Sequence, residues 1–288
     1  MRRRRAGCGR VVRARELRRT GEHEPRRLRL DQKSHVPSCC RDRLSRMSHI
    51  ILVRHGQASF LERDYDKLCA NGDTQARLLG EYWSRRGVFF GGVYSGPRVR
   101  QLETARIVAE AYRSAGLFFR ETVVMSEFDE YQAEAVLREC LPQLLQVNSE
   151  IKELHRAYED SRESSESGDR RKTFQKLFEA VISKWVAGEV TAGGIESWHE
   201  FCLRVERGLA QVVRDTPPAA SAAIFTSAGT IGAAMRRALH LSAEDTLRLT
   251  WMSRNASFSE FLASGERFTL STFNAHPHLD EDGLLTYR

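Results

Sequence analysis

His49-Ile50-Ile51-Leu52-Val53 is a short apolar run that stops abruptly at Arg54-His55-Gly56. A run of this length without polar alternation reads as a strand buried in a sheet. Gly56 permits a sharp turn directly after it. The strand therefore hands a guanidinium and an imidazole to the place where open α/β sheets bind ligands, beyond the carboxyl ends of their strands.

Working outward, the same grammar repeats. Asn71-Gly72 is a turn signal before an amphipathic stretch from about Thr74 to Trp83. Val88 to Tyr94 reads as a second strand, and Pro97 opens a helix from about Arg98 to Tyr112. Leu117 to Met125 is a third strand, closing at Ser126-Glu127. Residues 130–215 are mostly helical in pattern. They are interrupted by a polar stretch, Glu159 to Arg171, read as an exposed loop, and by Gly193-Gly194. Ala222 to Thr226 is a fourth strand, and Ser227-Ala228-Gly229 turns into a helix reaching about His240. Leu247 to Trp251, Ser257 to Ala263 and Phe268 to Phe273 read as closing strands. Alternating strands and helices predict a three-layer α/β sandwich: a mostly parallel central sheet flanked by helices. A helical insert at about 130–195 is expected near the active site.

Four strand ends deliver polar groups to one mouth: Arg54-His55, Ser95 to Arg100, Ser126-Glu127 and Ser227. Guanidiniums grip phosphate oxygens bidentately and keep their charge. An imidazole can accept phosphorus as a phosphoramidate, and a carboxylic acid can protonate a departing oxygen. Taken singly each element is weak, and acidic runs such as Glu127, Asp129, Glu130 are commonly solvated surface.

The chain has 288 residues and a formal charge of +7. That excess sits in residues 1–46, which hold 16 Lys/Arg against 5 Asp/Glu, leaving 29 against 33 for residues 47–288. The domain at 47–288 is thus mildly acidic, which argues against a nucleic-acid partner. No apolar run approaches the roughly 18–20 residues of a membrane-spanning helix, so no membrane partner is expected. The leader, 1–46, lacks periodicity and is expected to be disordered. A basic tail and an Arg-rich presequence are two readings of it, and translation from Met47 is the third and preferred one. Cys69, Cys140 and Cys202 lie far apart with no metal-type pairing, which suits a reduced, cytoplasmic protein.

The order of the segments resembles the histidine phosphatase (phosphoglycerate mutase-like) superfamily. Leu52-Val53-Arg54-His55-Gly56 is similar to its opening signature. Leu68-x-x-x-Gly72-x-x-Gln75-Ala76 and Pro97…Arg100…Thr104-Ala105 follow in its order, then Ser126-Glu127-Phe128, Gly194-Ile195-Glu196-Ser197 and Asn274…His278-Leu279. The resemblance implies His55 as nucleophile, Glu127 as acid, and Arg54 and Arg100, rather than Arg98, as phosphate ligands. It implies no metal and no cofactor.

At the family's second histidine this chain has Ser227, a neutral donor expected among the substrate-binding residues. His276 is an alternative source of an imidazole, although His276 and His278 read more simply as C-terminal loop residues. The expectation is a phosphomonoesterase working through a phosphohistidine on a small phosphorylated substrate, its activity weakened by the lost charge. A mutase-like phosphotransferase and a phosphate-binding or regulatory protein are the alternatives. Ser227→His should raise activity if only that charge is missing. Substrate identity and oligomeric state stay open.

Overall fold

The computed structural model describes residues 47–59, 66–163, 167–280 and 283–287. The leader, with every expectation placed on it, lies outside them. The strands are β1 (Ser48–Arg54), β2 (Gly92–Ser95), β3 (Val123–Val124), β4 (Ser221–Thr226), β5 (Phe258–Ser264) and β6 (Arg267–Ala275). They form one sheet in the order β3-β2-β4-β1-β5-β6. The first four in that order run parallel, and β5 and β6 close one side as an antiparallel pair. β1 is central, with Arg54 level with Thr226 of β4 on one side and Val53 level with Phe258 of β5 on the other.

Alternation along β1 sends successive side chains to opposite faces. Ile51 and Val53 join Leu79, Trp83, Val108, Tyr112 and Phe225 under α1 (Ala70–Arg85) and α2 (Val99–Ser114). Ile50 and Leu52 join Phe201, Val205, Leu209, Ile231 and Met235 under α6 (Trp198–Asp215) and α7 (Ala228–Leu239). Each such side chain contributes about 1.5–3 kcal/mol when fully buried. This is the expected three-layer α/β sandwich.

Three helices extend the second layer: α3 (Ala133–Val147), α4 (Ser149–Glu163) and α5 (Ser167–Val186). Val136, Cys140, Leu144, Ile151, Leu177, Val181, Ile182 and Trp185 join their buried side to the same core. The polar stretch Glu159 to Arg171 is not a loop. Both helices run into it, leaving only 164–166 outside the described residues. Its charges form an exposed helical face with Arg162 paired to Glu159, and Tyr158 and Phe174 meet beneath that face at 5.6 Å.

Leu247 to Trp251 is also helical, inside α8 (Ala243–Met252). Its start was written in Ser242, whose hydroxyl accepts the Asp245 N–H at 3.0 Å as an N-cap. Thr246, Leu247 and Thr250 are its buried positions, a spacing of helical rather than strand period. The third strand is likewise shorter than expected, because only Val123 and Val124 pair with β2. Among the described residues no helix is long and apolar enough to cross a membrane.

Candidate active site

β1 ends at Arg54, but His55 is still held by its backbone on both sides. Its N–H donates to the Thr226 carbonyl at 2.9 Å, and its own carbonyl accepts from the Ala256 N–H at 3.1 Å. The ring is fixed by its two nitrogens. Nδ1 lies 2.7 Å from the Gly56 carbonyl, which can only accept, so Nδ1 carries the hydrogen. Nε2 therefore presents its lone pair, and takes a hydrogen bond from Arg100 Nε at 3.1 Å. Burial, then the charges of Arg100 and Arg54, hold the imidazole pKa well below its ordinary value, against a smaller opposing pull from Gly56. The result is a neutral ring whose unprotonated Nε2 faces the Arg100 guanidinium.

Arg54 is buried and its Nη1 donates to the Ser253 carbonyl. Arg100 sits in the first turn of α2, also buried. Arg98, two residues earlier, turns away to pair with Asp129 at 2.5 Å. Sequence reasoning missed Asp66. Its Oδ1 accepts from Arg100 Nη1 at 2.7 Å, and its Oδ2 accepts the Val99 N–H at 3.0 Å at the start of α2. The site thus carries its own carboxylate against the guanidinium expected to bind phosphate.

Gly56 answers a need for space. A Cβ there would stand 2.5 Å from the Gly72 carbonyl oxygen, and one at Gly72 would collide with the Gln57 backbone. The loop after β1 therefore lies directly on the first turn of α1, which links the two glycine-bearing motifs. The Gly56 N–H donates to Thr104 Oγ1 at 3.0 Å and the Gln57 N–H to Gln75 Oε1 at 2.8 Å. Gln75 in turn donates to the Leu284 carbonyl at 2.7 Å, tying the C-terminal tail to this loop.

The carboxyl group is where the sequence expectation shifts. Glu127 lies in a 3-10 turn (Ser126–Phe128), and its Cβ abuts Gly208 of α6. Glu130, three residues on, is the one that reaches the mouth. Its Oε2 accepts the Gly229 N–H of α7 at 3.0 Å. Burial raises its carboxyl pKa, opposed by that N–H, by Arg100, by the Tyr131 N–H and by Arg54. The two arginines that act on the His55 ring thus act on this carboxyl as well. Arg204 of α6, unforeseen, builds the turn that aims it. Its Nη1 donates to the carbonyls of Ser126, Glu127 and Asp129 at 2.8, 3.0 and 3.2 Å. Glu196, from the Gly194-Ile195-Glu196-Ser197 segment, holds that guanidinium at 2.6 Å. Ser197 starts α6 with a capping box closed by Glu200.

Ser227 is at the mouth, one residue past β4 at the N-cap of α7, and is buried. Its Oγ accepts from Gln101 Nε2 at 2.8 Å, so the amide of Gln101, another residue not foreseen, occupies space beside it. His276 does not join His55. Its Nδ1 lies 2.8 Å from the Asn274 carbonyl and its Nε2 faces Arg254. His278 is buried, stacked on Phe258 at 6.3 Å, and burial pushes its pKa down to about 4.

The sequence profile of the histidine phosphatase superfamily (branch 1) matches residues 50–136 and 166–276, well over half the chain. No curated protein sequence matches. Among solved structures, a mycobacterial protein called hydrolase 1 superposes with a TM-score of 0.54 at 18% identity, covering 80% of this chain and 100% of its own. The phosphoserine phosphatase of Entamoeba histolytica in complex with 3-phosphoglyceric acid gives 0.53 at 16%, covering 81% and 100%. Mycobacterial glucosyl-3-phosphoglycerate phosphatase in complex with inorganic phosphate gives 0.53 at 18%, covering 81% and 99%. At such identities these likenesses speak for the fold. The profile match, running through the strand that leads into His55 and the segments that carry Arg100, Glu130 and Ser227, makes this chain a member of the histidine phosphatase superfamily.

Proposed function

We propose that the protein is a phosphomonoesterase that works through a phosphohistidine at His55. The observation that carries this reading is the state of that ring: buried, neutral, its Nδ1 turned to a carbonyl and its Nε2 beside a guanidinium. Nε2 attacks phosphorus in line, the P–O ester bond breaks, and its electron pair leaves on the alcohol oxygen. Glu130, whose raised pKa favours the protonated form, gives that oxygen its proton. This role passes to Glu130 from Glu127, whose Cβ abuts Gly208 of α6 and whose carboxylate lies at the exposed Ser126 hydroxyl. Water then attacks the phosphoramidate, Glu130 takes a proton from it, and the P–N bond breaks to return neutral His55 and free phosphate. Arg54 and Arg100 neutralise charge on the transferring group. Removing one such donor typically costs about 2.7–4 kcal/mol of barrier. Ser227, with its oxygen lone pair taken up by Gln101, has its hydroxyl hydrogen left to donate to a phosphoryl oxygen.

The substrate is a small phosphorylated molecule. The acidic balance of residues 47–288 speaks against nucleic acid, and the free thiols of Cys69, Cys140 and Cys202 suit a cytoplasmic setting. A phosphate-binding protein with weak turnover is the second reading, favoured by Ser227 at the second-histidine position and by the Asp66 carboxylate on Arg100. Hydrolysis of 4-nitrophenyl phosphate by wild type and His55→Ala separates the two. A wild-type rate at least 100-fold above the variant, with an acid-labile, base-stable phosphoryl label lost in the variant, is expected. Equal rates leave only the binding reading.

A further inference from the structure

One cation at this end of the sheet has no part in the chemistry above. Arg254 belongs to the segment Ser253–Ser257, which wraps the end of β1. The Ser253 carbonyl accepts from the Arg54 side chain, the Ser257 carbonyl accepts the Arg54 N–H at 3.0 Å, and the Ala256 N–H donates to the His55 carbonyl at 3.1 Å. Arg254 is two residues from that last contact, so its Cα lies within roughly 12 Å of the His55 Cα at about 3.3–3.6 Å per residue.

The guanidinium is built into place. Nε and Nη2 donate to Tyr287 Oη at 3.2 and 3.1 Å, and the group lies 5.4 Å from the centroid of the Tyr287 ring. Nη1 donates to His276 Nε2, whose partner nitrogen, 2.8 Å from the Asn274 carbonyl, holds the ring hydrogen. Every partner is neutral. No carboxylate of the described residues stands within 4.0 Å of Arg254, whereas Arg98, Arg100 and Arg204 each face one. The backbone around it is strained. Ala256 and Asn274 have φ of 53° and 56°, in the left-handed region. Asn274 sustains this by bridging the Met252 carbonyl and the Arg254 N–H, both at 2.8 Å. Strain of this kind collects at functional sites.

A half-buried, pre-positioned guanidinium with no acidic partner among the described residues, at the end of the sheet that carries the nucleophile, is suited to hold an anion. We propose that Arg254, with His276 and Tyr287, binds a second anionic group of the substrate. The substrate class is then phosphate monoesters that carry a carboxylate or another phosphate a few bonds from the reacting ester. This rests on the phosphatase reading.

The test compares wild type, Arg254→Gln and Arg254→Lys on three esters. These are 4-nitrophenyl phosphate, 3-phosphoglycerate (a short span to a carboxylate) and fructose 1,6-bisphosphate (a longer span to a phosphate). In Arg254→Gln, kcat/KM for at least one two-anion ester should fall tenfold or more relative to that for 4-nitrophenyl phosphate. The fall should lie in KM, be partly rescued by Lys, and tell carboxylate from phosphate. An unchanged ratio for both overturns the proposal. If wild type hydrolyses none of the three, the phosphatase reading fails. Calorimetric binding of the two-anion esters, measured against inorganic phosphate, then decides the site. A tenfold selective loss in Arg254→Gln supports it and equal affinities refute it.

Discussion

Acidification should destabilise this protein through His278, by an amount the structure fixes. The ring is 7% exposed, stacked on Phe258 with Tyr82 tilted against it, and its pKa is about 4 against an ordinary 6.5. The folded state thus keeps His278 neutral where the unfolded chain already binds a proton. Its destabilising effect is absent above pH 6.5, grows as the pH falls below it, and levels off below 4. The full shift corresponds to about 3 kcal/mol, of which about 2 kcal/mol accrues between pH 7.5 and pH 5. His55 acts in the same direction but is present in every sample. Urea denaturation of wild type and His278→Phe at pH 7.5, 6 and 5 isolates the term. Wild type should lose about 2 kcal/mol more than the variant across that range. Parallel losses would show that His278 takes up its proton in the folded state at an ordinary pH, and the argument from burial would be wrong.

The remaining expectations concern the chemistry. Glu130→Gln should lower kcat on an alkyl phosphate by about 100- to 10,000-fold, the usual range for a general acid, while Glu127→Gln stays within a few-fold of wild type. The opposite ranking in steady-state assays would return the role to Glu127. Asp66→Asn keeps an acceptor for the Val99 N–H but frees Arg100 from a carboxylate, so inorganic phosphate should inhibit about two- to five-fold more tightly, as suits a partly exposed pair worth under about 1 kcal/mol. Ser227→His alone forces an imidazole against Gln101. It should cost about 1–3 kcal/mol of stability through overpacking and gain no rate, whereas pairing it with Gln101→Ala should raise kcat. A gain from the single substitution would mean that Gln101 yields freely.

The strand that ends in Arg54-His55 was legible because a run buried on both faces has no periodicity to confuse, and the turn after it is short. The pairing of Gly56 with Gly72 was legible as two motifs but not as one contact, since close approach between segments leaves no local trace. α8 was misread because Leu247-Arg248-Leu249-Thr250-Trp251 alternates like a strand, and only the Ser242 cap marks it as helical. The polar stretch from Glu159 deceived in the other direction. Its exposed charges hide an apolar spacing carried by Leu154, Tyr158, Phe174 and Phe178 on the inner side.

That Glu130, and not Glu127, accepts the Gly229 N–H has a more instructive cause. Glu127 and Glu130 are three residues apart, so in an extended segment they would leave opposite faces and the residue nearest the strand would be the natural choice. The 3-10 turn at Ser126–Phe128 replaces that extended path, and the chain returns to extended backbone only at Asp129, just ahead of Glu130. That turn is held by Arg204 and Glu196, 70 or more positions along the chain, on and beside α6. Which carboxylate meets Gly229 is therefore tied to a remote ion pair, which no local reading of Ser126-Glu127-Phe128 could reach. The same holds for the charge at the mouth. With Ser227 and Gln101 both neutral and Asp66 set against Arg100, the described site is less positive than its strand ends alone announce. On the phosphatase reading an approaching phosphate competes with Asp66 for Arg100, so its grip there depends on a carboxylate outside the phosphate-binding segments read from the sequence.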